Sequence, residues 1–336
     1  MVINSQEISG DAEWQGAGNG KIIARLKNLT IASSDEANKK PELKSAPNKD
    51  FKKQGREYPA LDVTAENFQI GTKKLGALEL NAFEAGDDWT IQKLKITNPD
   101  STLLAEGNWH NWTRNPNTNM KFLLNVSNIG NTLKRFGQPD VVKGGDAEIT
   151  GQLQWPGSPH EFDTNGLSGN IKLDANKGQF LKVDPSVGRL LGLLSLQSLP
   201  RRLSLDFRDL FSDGFAFDKM TATAKIDQGI LRSNDFFMNG PAAEARIKGE
   251  TNLKNETQNL KVKVRPHISD SLSLAAFAGG PIAGVAAFVA QKLLKDPFNK
   301  IVQSEYVITG TWDKPVEVES EKSEAQKPSN KSPLHP

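Results

Sequence analysis

The chain has 336 residues, enough for one large β domain or two ordinary ones, and its formal net charge is only +2 from 42 basic and 40 acidic side chains. That balance gives nucleic acid no electrostatic recommendation as a partner. Cysteine is absent, which excludes disulfides, thiolate metal sites and a cysteine nucleophile, and suits a reducing or an oxidising compartment equally.

In chain order, the opening "MVINSQEISGDAEW" has neither the basic segment nor the apolar run of a secretory signal, so the expectation is a cytoplasmic chain or a fragment whose export signal lies elsewhere. "GAGNGK" at 16–21 has the wrong spacing for a phosphate loop and no Ser or Thr after Lys21, and it reads as a turn. Residues 33–59 are too polar to fold alone and read as a long loop between strands. Beyond it, period-two alternation recurs. Met120, Phe122, Leu124 and Val126 share one face of a strand, and "GDAEITGQLQW" at 145–155 places Ala147, Ile149, Gly151, Leu153 and Trp155 opposite Asp146, Glu148, Thr150, Gln152 and Gln154. The same pattern marks Ile171, Leu173 and Ala175, then Leu203, Leu205 and Phe207, Ala243, Ala245 and Ile247, and Leu260, Val262 and Val264. Clusters such as "TNPD", "WPGSP" and "DANKG" supply turn chemistry for sequential antiparallel strands, and long helical crossovers are missing.

Two stretches break the alternation. At 184–200 a leucine-rich helix is expected, apolar on most sides. From Ser271 to Gln291 there are 21 residues without a charge, close in length to a bilayer span, but seven are Ala, three are Gly, and Gly279-Gly280-Pro281 stands in the middle. Two short helices within 271–295 fit better than one span. The expected organisation is therefore a β region over 1–32 and 60–183, a C-terminal region over 184–318 and a disordered tail at 319–336.

No pattern of catalytic chemistry appears. His110, His160, His267 and His335 lie near turns or in the tail, with no carboxylate or second histidine at metal spacing, so neither an enzyme nor a metal or cofactor site is expected. The tryptophans, Trp14, Trp89, Trp109, Trp112, Trp155 and Trp312, fall mostly at strand ends or before turns. Packing and strand-end anchoring is the plainer reading and stacking on sugars the rarer one. Each strand still has one apolar face to cover. A second sheet, closure into a barrel, or an apolar ligand would each do so, and periodicity does not choose among them. A lipid ligand has an energetic logic, because moving a two-chain phospholipid through water exposes apolar surface at a cost of order 20 kcal/mol.

The run "GRLLGLLSLQSLPRRLSLDFRDLFSDGFAFD" at 188–218, with "NGPAAEARIKGETNL" at 239–253 and "YVITGTWDKPVEV" at 306–318, resembles the C-terminal part of the YhdP family of AsmA-like envelope proteins. "GNWHNWTRNPNTNMKFLLNVSNIGNTLKRFG" and "GGDAEITGQLQWPGSP" extend the resemblance upstream to about Leu61. The resemblance implies a mainly β fold, an elongated, curled antiparallel sheet forming an open groove or half-barrel, with a few short helices near the C-terminal end. It also implies a periplasmic protein that passes phospholipids between inner and outer membrane, this chain being the part nearest the outer membrane. The resemblance implies an N-terminal membrane anchor in family members, and this chain is expected to be a portion without it. On that reading Phe122, Leu124, Ala147, Ile149, Leu153, Ile247, Val262 and Val264 line the groove as an apolar wall. Phe277, Ile282, Val285, Phe288, Val289 and Leu293 touch the inner leaflet of the outer membrane or cap the sheet, and Arg189, Arg201 and Arg202 are candidates for headgroup contact. Phospholipids, that leaflet and an envelope protein are the expected partners. The rival reading is an envelope scaffold whose sheet is filled by its own side chains.

Overall fold

A computed structural model describes residues 2–31 except 6, 58–181 except 112 and 114, 215–267 except 242, and 304–319 except 313. Outside them lie the two expected helical regions at 184–200 and 271–295, the alternation at Leu203 to Phe207, almost all of the polar loop and the tail. The membrane-contact and headgroup candidates named above therefore lie outside them too.

Strand accounts for 73% of the described residues, as the alternation requires. The strands are β1 (Val2–Asn4), β2 (Ile8–Gln15), β3 (Lys21–Ile31), β4 (Ala60–Ile70), β5 (Lys73–Ala85), β6 (Asp88–Asn98), β7 (Ser101–His110) and β8 (Asn117–Val126). After the short helix α1 (Ile129–Arg135) come β9 (Val142–Pro156), β10 (Ser168–Phe180), β11 (Phe215–Asp227), β12 (Ile230–Asn239), β13 (Ala243–Asn252), β14 (Thr257–Pro266), β15 (Ser304–Gly310) and β16 (Pro315–Glu319). They pair in unbroken chain order into one elongated sheet of sixteen strands that curls without closing. Tight turns explain the order. At the β11–β12 turn both central residues take positive φ, Gln228 at 47° and Gly229 at 77°, the primed turn whose twist matches its flanking strands.

One pair departs from the expected antiparallel meander. β3 and β4 are parallel, with Lys21 opposite Ala60 and Ile31 opposite Ile70. A parallel neighbour needs a crossover of a dozen residues or more. The polar segment between Ile31 and Ala60 supplies that length, which is why a hairpin is absent here.

"DANKG" is not a turn. β10 runs straight through it, and the sequence signal reflects a kink instead. Lys177 has φ 52°, while Gly144 and Gly145 on neighbouring β9 have φ 63° and 77°. The alternation resets across this kink, so that Val142 and Ala147 on β9, and Phe217 and Met220 on β11, are all buried although each pair is an odd number of residues apart. Gly178 is required at this level because a Cβ there would meet the Phe217 ring at 2.4 Å.

Helix α1 is absent from the sequence reading. Asn128 caps it, its side-chain oxygen accepting from the Asn131 amide at 2.9 Å, and Lys134 and Arg135 occupy the last turn, where cations oppose the helix dipole favourably. Asp100, in the β6–β7 turn, accepts from Asn131 at 2.9 Å and pairs with Arg135 at 2.9 Å. Ile129 and Leu133 pack against the main apolar cluster, and the helix touches both β9 and β5. It therefore covers one end of the strands.

Candidate functional site

Directly paired residues share a face of a sheet, so the registers sort every side chain. Starting from Ala147, the row runs through Ala175, Met220, Met238 and Ala245 to Val264 on one side and to Val126 on the other. The next row joins Ile96, Leu103, Leu124, Ile149, Leu173 and Ala222. A third joins Leu94, Ala105, Phe122, Gly151, Ile171 and Ala224. Rows of this kind continue through Leu78, Ala65 and Leu26 towards the first strands. The result is one apolar face, continuous from β2 to β15.

All eight residues expected to line a groove stand on this face. They differ in exposure. Ala147, Ile247, Val262 and Val264 are buried, Val262 completely, whereas Phe122, Leu124, Ile149 and Leu153 are only half-buried. Across β7 to β10 no second sheet covers the face among the described residues, and towards β13 and β14 it is filled. The floor there is thin as well as apolar: Gly151 lies beneath Phe122, whose ring a Cβ would approach to 2.9 Å. Alternation failed to find Phe236 and Met238, which belong to the same face. β12 carries an extra residue between Ser233 and Phe236, and this bulge reverses the parity. Asp235 sits in the bulge and accepts from the Thr223 amide at 2.8 Å and its hydroxyl at 2.7 Å. Burial opposes its ionisation, but these bonds prevail and hold the carboxyl below the usual carboxylate range.

The opposite face is polar and carries cross-strand ion pairs. Asp62 pairs with Arg25 at 2.8 Å and Lys21 at 3.3 Å, Glu79 with Lys93 at 2.6 Å and Lys95 at 3.2 Å, and Glu250 with Arg232 at 3.0 Å. Hydrogen bonds from Arg25 and from Lys93 hold Asp62 and Glu79 below their ordinary values. A cavity of about 590 Å³ lined in part by Asp146, Glu148, Lys172 and Asp174 is lined mainly by polar residues.

Among the described residues, the tryptophans form the border of the apolar face; Trp112 lies outside them. Trp14, Trp89, Trp109 and Trp155 each stand one residue from a strand terminus and Trp312 lies between β15 and β16, all at the end opposite α1. Trp89, Trp109, Thr118 and Trp155 are consecutive partners in one row across β6 to β9. The Trp89 indole donates to the Pro59 carbonyl at 3.3 Å, that of Trp155 to the Ser158 carbonyl at 3.0 Å and that of Trp312 to the Thr251 hydroxyl at 2.9 Å.

Two histidines are less isolated than the sequence indicates. His110 Nδ1 lies 2.6 Å from Asp88, a carboxylate 22 residues away that strand pairing brings to it. Ser158 meets His160 at 2.9 Å and donates to Glu161 at 2.8 Å, but the carboxylate is on the serine and its own backbone rather than on the histidine. This is a local turn and not a nucleophile with a base and an orienting acid. Among the described residues no three His, Asp or Glu side chains gather to hold a metal, and no helix is long and apolar enough to cross a membrane.

An open, curled sheet with one continuous apolar face and one charged face defines a β-groove protein, a class suited to apolar cargo. A model of the YhdP protein family matches residues 1–317. The chain belongs to the YhdP family. It is 31% identical over 262 residues to the intermembrane phospholipid transporter YhdP of Escherichia coli strain K12, a match covering 77% of this chain and 21% of that protein. The chain thus spans about a fifth of the length of the curated relative it matches. No solved structure matches it.

Proposed function

We propose that the apolar face holds the acyl chains of phospholipids and forms one segment of a conduit between the inner and outer membranes, within the periplasm. The observation that carries this reading is the apolar patch of Phe122, Leu124, Ile149 and Leu153, only half-buried and with no second sheet over it among the described residues. Each buried methylene contributes about 0.8 kcal/mol, so an acyl chain on this face recovers most of what it would lose in water. The relative that transports phospholipids between membranes supports the same cargo. We place this segment at the outer-membrane end of the conduit. Phe277, Ile282, Val285, Phe288, Val289 and Leu293 are its proposed contacts with the inner leaflet there, and Arg189, Arg201 and Arg202 with headgroups.

The chemistry needed is passive. The groove supplies surface and orientation, and no bond is made or broken. The filled face at β13 and β14 favours a second reading, an envelope scaffold with a self-filled core. Native mass spectrometry of the chain purified in mild detergent, with lipid extraction, separates the two. The conduit predicts copurifying phospholipid that is lost in Ile149→Asp and retained in Thr150→Asp, which changes only the polar face. A folded chain free of lipid supports the scaffold.

A further inference from the structure

We propose that the tryptophan border is the level at which the ester region of a bound phospholipid lies, with the Trp109 indole N–H donating to an ester carbonyl. This assignment rests on the conduit reading and adds a polar contact and a lipid orientation to it. In the row Trp89, Trp109, Thr118 and Trp155, every side chain except Trp109 has its polar atom paired: Thr118 donates to the Gly157 carbonyl at 2.9 Å, and the two flanking indoles donate to backbone. Trp109 Nε1 is shielded from solvent and has no acceptor among the described residues. Its ring is held edge-on against Tyr58 at 4.6 Å and Trp89 at 6.4 Å. A shielded indole donor normally finds an acceptor, so this one is short of a partner, and the side chains that shield it must give way to the ester oxygen. Gln258 repeats the observation independently. It is on the same face at the same end of β14, only 5% exposed, and both atoms of its amide are unpaired.

The surroundings select a neutral acceptor. The β5–β6 turn carries Asp87, Asp88 follows it as the first residue of β6 beside Trp89, and His110 is already engaged by Asp88 at 2.6 Å. Acidic neighbours repel a phosphate, whereas an ester carbonyl accepts the N–H without bringing charge. From Trp109 towards α1 the face offers Met120 and Leu153, then Phe122, then Leu124 and Ile149, an apolar path for the attached chains. Polar donor first and hydrocarbon beyond is the order that places tryptophan at the boundary of a bilayer. The headgroup accordingly lies outside the tryptophan border and the acyl chains run along the strands towards α1.

The test uses the full chain labelled with ¹⁵N at its indoles, with Trp109→Phe assigning one signal. Dioleoyl phosphatidylethanolamine and its ether-linked counterpart, which lacks both carbonyls, are added separately, and native mass measurement records whether each is bound. The expected result is a downfield shift of the Trp109 indole proton with the ester lipid and little with the ether lipid, while the paired indoles of Trp89, Trp155 and Trp312 hold still. Trp109→Phe weakens binding of the ester lipid about fivefold and removes the preference between the two. Bound ester lipid that leaves the Trp109 signal unmoved, or equal shifts with both lipids, overturns the assignment and leaves the conduit standing. Failure of both lipids to bind removes the conduit reading itself.

Discussion

Gly151 shows how tightly single residues set the depth of the apolar face. A Cβ there would lie 2.4 Å from the Asn170 carbonyl oxygen as well as 2.9 Å from the Phe122 ring, so neither backbone nor ring has room to accept it. Gly151→Ala is expected to lower stability by about 1–3 kcal/mol, read as a shift in the urea midpoint without a change in slope. An unchanged midpoint would mean that the floor yields easily. The shared face of the eight residues proposed to line a groove was legible in the sequence because each lies on an unbroken period-two run, and the registers bring them to one face. Phe236 and Met238 were not legible, because the extra residue that reverses their parity lies between Ser233 and Phe236, in a bulge where Asp235 is tied to Thr223 across strands. The pairing of His110 with Asp88 was hidden for the same reason.

At the scale of elements, α1 is the clearest omission from the sequence reading. Seven residues are too few for a periodic apolar pattern to stand out, and the helix is held by its cap and by Asp100, 31 residues before Asn131. Its local signal was present in Asn128, the basic pair Lys134 and Arg135, and Gly137 after the end. Asn128→Ala is expected to cost about 1 kcal/mol, measured by chemical denaturation, since the Asn131 amide loses its acceptor. The parallel β3–β4 pair was equally beyond reach. Alternation assigns faces but not strand direction, and the long polar segment permits either a loop or a crossover.

For the whole molecule, acid sensitivity follows from the way the strands are tied together. Asn131 and then Arg135 hold Asp100 below its ordinary value, and Asp62, Glu79 and Asp235 are likewise depressed. A carboxyl depressed in the folded state contributes stability that is present above its unfolded value, about pH 4, and is lost as pH falls through its folded value. The urea midpoint is therefore expected to be flat near neutrality and to fall below about pH 4. Asp100→Asn should be less stable at neutral pH by about 1 kcal/mol and show a shallower acid decline, whereas an identical acid slope would contradict the role given to Asp100.

The amphipathic sheet as a whole was legible, since one apolar and one polar face per strand is a sequence property. Periodicity did not say whether the sheet closed, stacked or stayed open, because that depends on the accumulated curl of the strands; the open form came from the family resemblance. The central claim, that the open apolar face carries lipid, is tested most directly by placing a photocrosslinking residue in turn at positions 148, 149, 150, 152 and 153 along β9 in the envelope of a Gram-negative host. The account predicts phospholipid adducts that keep to one parity, at 149 and 153, and none at 148, 150 and 152. Adducts that ignore this parity, or no lipid at any position in a folded chain, would contradict it.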